Sequence, residues 1–136
     1  HPHLTVMFGY PWETKEDAEK TVQLVHELFN HGWANSMQAT LLMPYPGTQL
    51  FNQAKEQGWL LTEDYSRYTM TECILKCPMS HEEVLEQIRN CYKAAVTPRY
   101  ILKKILTVRT RDDLRFFARG FRFWLGHMRD FVWRPT

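Results

Sequence analysis

The residues best suited to chemistry are thiols, imidazoles and two sharply punctuated loops. Cys73 and Cys77 lie four apart, with Ser80 and His81 close behind. Two thiols so placed support redox exchange, and a small oxidoreductase is one reading of them. Six histidines invite a metal reading. His26 and His31 are five apart, which puts them on different faces of a helix, and His1 and His3 stand at a terminus. There is no HExxH and no CxxC…CxxC, so no native metal site is expected inside the chain. There is also no GxSxG, Walker A loop or GxGxxG, and no nucleophile–base pair stands out. Hydrolase and kinase chemistry has no support, and no catalytic residue is assigned.

The loops are more informative. Leu41-Leu42-Met43-Pro44-Tyr45-Pro46-Gly47-Thr48-Gln49-Leu50 is an apolar run stopped by proline, turned by proline and glycine, and followed by a helical pattern. Leu4-Thr5-Val6-Met7-Phe8-Gly9-Tyr10-Pro11-Trp12-Glu13-Thr14 has the same design. Each reads as a buried strand emptying into a loop that starts a helix. Ligands of α/β proteins bind where such loops sit, at the carboxyl ends of the strands.

The elements that position these loops follow from periodicity. Leu4–Phe8 predicts a strand ending at Gly9. Thr14-Lys15-Glu16-Asp17 predicts a capping box with Asp in place of Glu. Ala18, Val22, Val25 and Phe29, flanked by Thr21 and Leu28, form one face of a helix that ends near Gly32. Ser36–Met43 predicts a second strand. A helix of about ten residues over Leu50, Phe51 and Ala54 follows, ended by Gly58. Trp59–Met70 has no clean period, and Thr62-Glu63-Asp64 suggests a turn or short helix. Cys73–Cys77 is a candidate for a third, shorter strand stopped at Pro78. Ser80-His81-Glu82-Glu83 is a capping box for a helix with Val84, Leu85, Ile88, Cys91, Tyr92 and Ala95 on one face. Pro98 restarts a helix over Ile101, Leu102, Ile105 and Leu106, and Thr110-Arg111-Asp112-Asp113 can cap a last one running towards His127.

Strands alternating with helices argue for parallel pairing. The expected fold class is α/β: a fragment of a (β/α) barrel with two or three parallel strands, followed by a helical C-terminal tail. So few strands leave open edges, and self-association is expected. The chain does not begin with Met, and it is expected to be a piece of something longer.

At Gly9-Tyr10-Pro11-Trp12-Glu13-Thr14, Met43-Pro44-Tyr45-Pro46-Gly47-Thr48 and Gly58-Trp59-Leu60-Leu61-Thr62-Glu63-Asp64-Tyr65 the chain resembles the radical S-adenosylmethionine (SAM) enzymes. The resemblance is to the second half of their partial (β/α) barrel. It is strongest to the cobalamin-binding branch, which includes the anaerobic magnesium-protoporphyrin monomethyl ester cyclases and hopanoid-pathway enzymes. It covers about residues 4–96. It implies that Met7 offers an apolar face to the adenine of SAM, that Gly9 lets the backbone approach it, and that Glu13 steadies the loop and helix start. It further implies that Leu42 and Met43 present backbone groups to the adenine edge. Tyr45 is a candidate substrate-facing ring. An adenine ring needs an apolar face and backbone partners at its edge, and glycine and proline shape the loop there.

The family's cluster signature, C-x3-C-x2-C, is absent. Cys73, Cys77 and Ser80 imitate its spacing, but serine holds the third place, and such a cluster needs at least three thiolates. The resemblance therefore implies SAM, a [4Fe–4S] cluster and, in this branch, cobalamin as cofactors of a longer parent, with none bound to this piece alone. It implies an oxidoreductase or cyclase acting on a hydrophobic substrate such as a tetrapyrrole or polyisoprenoid. The implied partner is the missing N-terminal part of the same protein.

Charge divides the chain in two. Residues 97–136 hold ten Lys/Arg against three Asp/Glu, and residues 1–96 hold seven against twelve. The expected division is a barrel part at 1–96 and a basic, aromatic-rich helical tail at 97–136. Between Arg109 and Arg134 the arginines alternate with Phe and Trp. Two readings stand for this stretch. One is an interfacial helix on anionic lipid, which would make the chain a non-catalytic membrane- or partner-docking module. The other buries Leu114, Phe117, Phe121 and Leu125 against the body, and the helical spacing of the aromatics favours it. Nothing accompanies the basic residues that would point to nucleic acid. No apolar run approaches the roughly 18 residues of a membrane span. Three cysteines without a secretion signal suggest free thiols in a reducing cytoplasm, with peripheral contact at the inner face of the membrane as a further expectation.

Overall fold

The computed structural model describes residues 2–107 together with Arg115, Arg119 and Arg122. Two strands, β1 (His3–Phe8) and β2 (Ser36–Leu41), pair in parallel with His3 opposite Ser36 and Phe8 opposite Leu41. Helix α1 (Lys15–Asn30) makes the crossover between them, α2 (Gln49–Glu56) follows β2, and α3 (His81–Ala95) and α4 (Pro98–Thr107) come after it. Over residues 2–107 the fold is thus α/β with two parallel strands and four α-helices.

Side-chain alternation gives the sheet two unlike faces. Leu4, Val6, Phe8, Met37, Ala39 and Leu41 point into one core with Val25 and Phe29 of α1 and Val84, Ile88 and Cys91 of α3. His3, Thr5 and Met7 point the other way, beside Ser36, Gln38 and Thr40 of β2. Among the described residues no helix covers that face, and all of these side chains but the half-buried Thr40 are exposed. Each large core side chain removed from water stabilises the fold by about 1.5–3 kcal/mol relative to exposure.

Both capping boxes form. Thr14 accepts from the Asp17 N–H while Asp17 reaches back to the Thr14 N–H, and Ser80 and Glu83 do the same at α3. The corrections concern the strands. β2 ends at Leu41, not Met43, because Pro44 follows three residues later and cannot extend a ladder. Cys73–Cys77 does not join the sheet as a third parallel strand. Leu75 bridges Leu60 in antiparallel sense, with Leu61 N–H on the Ile74 carbonyl and Lys76 N–H on the Trp59 carbonyl, both at 2.8 Å. Tyr92 of α3 occupies the backbone of β2 instead: its hydroxyl accepts the Ala39 N–H at 3.2 Å and donates to the Ala39 carbonyl at 3.3 Å. Those are groups a third strand would need. Asp64 caps a single 3-10 turn at Tyr65–Arg67. The last helix expected from Thr110 towards His127, with Leu114, Phe117, Phe121 and Leu125, lies outside the described residues.

Candidate functional site

The site lies at the carboxyl end of the two strands. After Phe8 the chain turns at Gly9, whose φ of +94° is a conformation that L side chains rarely adopt. Four residues on, Glu13 folds back. Its Oε2 accepts the Gly9 N–H at 2.6 Å, while its own N–H donates to the Tyr10 carbonyl at 3.0 Å. Thr14 then caps α1. The result is a closed loop with a buried carboxylate at its centre. Burial pushes the Glu13 carboxyl above its ordinary value; hydrogen bonds from the Gly9 and Tyr10 backbone oppose that rise without cancelling it.

The loop after β2 is built differently. Leu42 N–H donates to the Phe8 carbonyl at 2.8 Å and so carries the pairing one residue past the strand. Leu42, Met43 and Pro44 are buried; Tyr45 to Thr48 are exposed. Pro46 and Gly47 take the two central positions of a turn closed by Thr48 N–H on the Tyr45 carbonyl at 3.1 Å, with Gly47 at φ +86°. Thr48 caps α2 by accepting the Phe51 N–H at 3.2 Å.

The six predicted residues therefore fall at one end of the sheet in three situations. Met7 is 44% exposed on the helix-free face, opposite Thr40. Gly9 and Glu13 form the closed loop. Leu42 and Met43 have their side chains in the core, which leaves only their backbone to meet a ligand, and Tyr45 stands in solvent. Sequence reasoning did not assign Trp12 and Trp59. Tyr10, Trp12 and Trp59 form a chain of rings with centroids 5.4 and 5.9 Å apart beside these loops, Trp12 largely exposed. The signal was present in the aromatic spacing of Tyr10-Pro11-Trp12, but its partner lies forty-seven residues away.

The thiols sit behind the first loop. Cys73 and Cys77 line a cleft of about 440 Å³ with Met79 and His81. His81 Nδ1 is 3.4 Å from the Cys73 Sγ, and Cys77 S–H points at the Glu13 carbonyl, 3.8 Å away. Burial, with the Cys77 and Glu72 charges, pushes the Cys73 thiol up to about 11, and burial alone pushes Cys91 up to about 12. Thiols held protonated are poor nucleophiles, so this pair is ill suited to redox exchange. Ser80 is the N-cap of α3, and no group of three or more His, Cys, Asp or Glu among the described residues is arranged to hold a metal. The residues present do not fit an iron–sulfur cluster.

The described residues thus form a β–α–β unit with two glycine- and proline-shaped loops at its carboxyl end, the end at which open α/β sheets bind their ligands. The chain is similar to methyltransferases. It is 29% identical over 107 residues to an uncharacterized methyltransferase of Pyrococcus horikoshii, a match covering 77% of this chain and 22% of that protein. It is 31% identical over 70 residues to bacteriochlorophyllide d C-8(2)-methyltransferase of Chlorobaculum tepidum, covering 52% of this chain and 15% of that protein. The chain thus spans about a fifth or less of the length of these relatives. No protein-family model and no solved structure matches it.

Proposed function

We propose that this chain supplies one wall of the ligand site in a SAM-dependent methyltransferase of the radical SAM kind, as a segment of its partial (β/α) barrel. The observation that carries the reading is the juxtaposition of the Gly9–Glu13 loop and the Leu42–Tyr45 backbone at the carboxyl end of paired parallel strands. The two methyltransferase relatives support it, and so do the motifs shared with the radical SAM enzymes. In this reading the helix-free face of the sheet looks into the barrel.

This chain's own residues would act by binding and shaping. Met7 offers an exposed thioether face to a flat base. Gly9 brings backbone close to it, and Glu13 holds that backbone in place. Leu42 and Met43 present backbone groups, and Tyr45 stands where a hydrophobic substrate, a tetrapyrrole or polyisoprenoid, would approach. The iron–sulfur cluster, and cobalamin if the parent uses it, would be held by other parts of the parent.

The test is a longer protein that includes the preceding segment, reconstituted anaerobically with iron and sulfide. It should bind SAM and convert it to 5′-deoxyadenosine. Gly9→Val should weaken SAM binding about tenfold or more without changing the cluster's absorption spectrum. A reconstituted protein that holds no cluster and leaves SAM intact would overturn the reading.

A further inference from the structure

Among the described residues, helix α4 is anchored on the side that faces α1. Its Tyr100 ring packs edge-on against Phe29 of α1 at 5.1 Å, and the Tyr100 hydroxyl donates to the Asn35 carbonyl at 2.8 Å. Lys103 donates to the Gly32 carbonyl, just past the end of α1, at 3.0 Å. Away from these anchors, Leu102 and Leu106, one turn apart, are 58% and 69% exposed, and Ile101 is exposed beside them. The two leucines border a cleft of about 370 Å³ whose other walls include His31, Gly32, Arg99 and Lys103, with no carboxylate among the described residues that line it. His31 in turn stacks on Trp33, 64% exposed, at 4.7 Å. Aliphatic side chains, an exposed tryptophan and cations thus meet on one surface, remote from the carboxyl ends of the strands.

We propose that this surface seats on an anionic lipid bilayer, with Leu102, Leu106 and Trp33 entering the headgroup boundary and Arg99 and Lys103 meeting lipid phosphates. The combination is that of an interfacial helix: an apolar stripe flanked by cations, with an amphipathic ring beside it. Charge argues against the other occupants. A second copy docked through the same face would set Arg99 and Lys103 against their own duplicates across a two-fold axis. Residues 108–136 hold seven Lys/Arg against three Asp/Glu and so supply no net counter-charge. A nucleic acid would meet the cations but leave two leucines facing a phosphate backbone.

The test is co-sedimentation of the full chain with vesicles of phosphatidylcholine alone or with added phosphatidylglycerol. The wild type should partition onto the anionic vesicles and not onto the neutral ones. Leu102→Glu/Leu106→Glu should lower that partition by about a hundredfold, since each leucine withdrawn is worth roughly a decade. Arg99→Glu, a second variant at an exposed position, should lower it and weaken its dependence on salt. Far-UV circular dichroism identifies any variant that fails to fold. Equal partition of the wild type and the leucine pair, or equal binding to both vesicle types, would overturn the proposal. So would a dimer by light scattering that the leucine pair dissolves in a chain that ignores vesicles, or retention of an oligonucleotide without vesicle binding. None of these outcomes depends on SAM chemistry.

Discussion

The Glu13 carboxylate accepts the N–H of Gly9 at 2.6 Å, and this one bond ties the end of β1 to the start of α1. It sets the path of the backbone at the carboxyl end of β1. It also buries an acid, and burial raises the cost of its charge.

That cost has a sign in pH. A carboxyl whose folded pKa lies above its ordinary 4.5 holds its proton more tightly when folded. Its contribution favours the native state below the unfolded pKa and is lost as pH rises through the folded one. Glu13→Gln keeps an oxygen for the Gly9 N–H and carries no charge at any pH. The melting temperature of the variant, relative to wild type, should therefore climb between about pH 4 and pH 7. Thermal melts across that range check it; a flat or falling difference would refute it.

Gly9→Ala should destabilise the chain by about 1–2 kcal/mol. A Cβ there would sit 3.8 Å from Val84 Cγ1 and 3.9 Å from Leu41 Cδ2, ordinary contact distances, so the cost is conformational and not a clash. Urea denaturation measures it. A neutral result would mean that the loop relaxes to negative φ without loss.

Tyr92→Phe removes the hydroxyl that serves both backbone groups of Ala39. The ring stays buried in the core, so the loss should be about 1–3 kcal/mol, set by the stranded N–H and carbonyl of Ala39. If β2 gains a partner there, the variant should also self-associate more readily than wild type, a tendency that light scattering would show. Unchanged stability and unchanged mass would contradict both expectations.

Iodoacetamide should label Cys73 slowly at neutral pH. A thiol pushed up from 9 to about 11 holds roughly a hundredfold less thiolate. Cys91, wholly buried and pushed up to about 12, should react only after unfolding. Mass spectrometry of the labelled peptides reads both. Rapid labelling of Cys73 and Cys77 in the native chain would restore the oxidoreductase reading.

The local architecture was written in the sequence. Thr14 with Asp17 and Ser80 with Glu83 cap helices where their spacing says they should, because a capping box depends on four consecutive residues and little else. The glycines at 9 and 47 mark the two loops for the same reason: a backbone turn is a local demand. What lies far apart in sequence was decided by the tertiary structure. Cys73–Cys77 has strand-like residues, yet it pairs antiparallel with Trp59–Leu61, because a strand's partner is whichever backbone packing brings beside it. Tyr92 looked like one more core residue of α3, and only the fold puts its hydroxyl on Ala39, fifty-three residues away. Spacing alone relates Glu13 to Gly9, but its burial comes from the surrounding fold, with the Cys77 thiol set against its carbonyl. Alternation in β1 and β2 divides each strand into two faces. Which face takes the helices follows from hydrophobic burial: α1 and α3 cover Leu4, Val6 and Phe8 and leave Met7 open at the end of the strand where the candidate site lies.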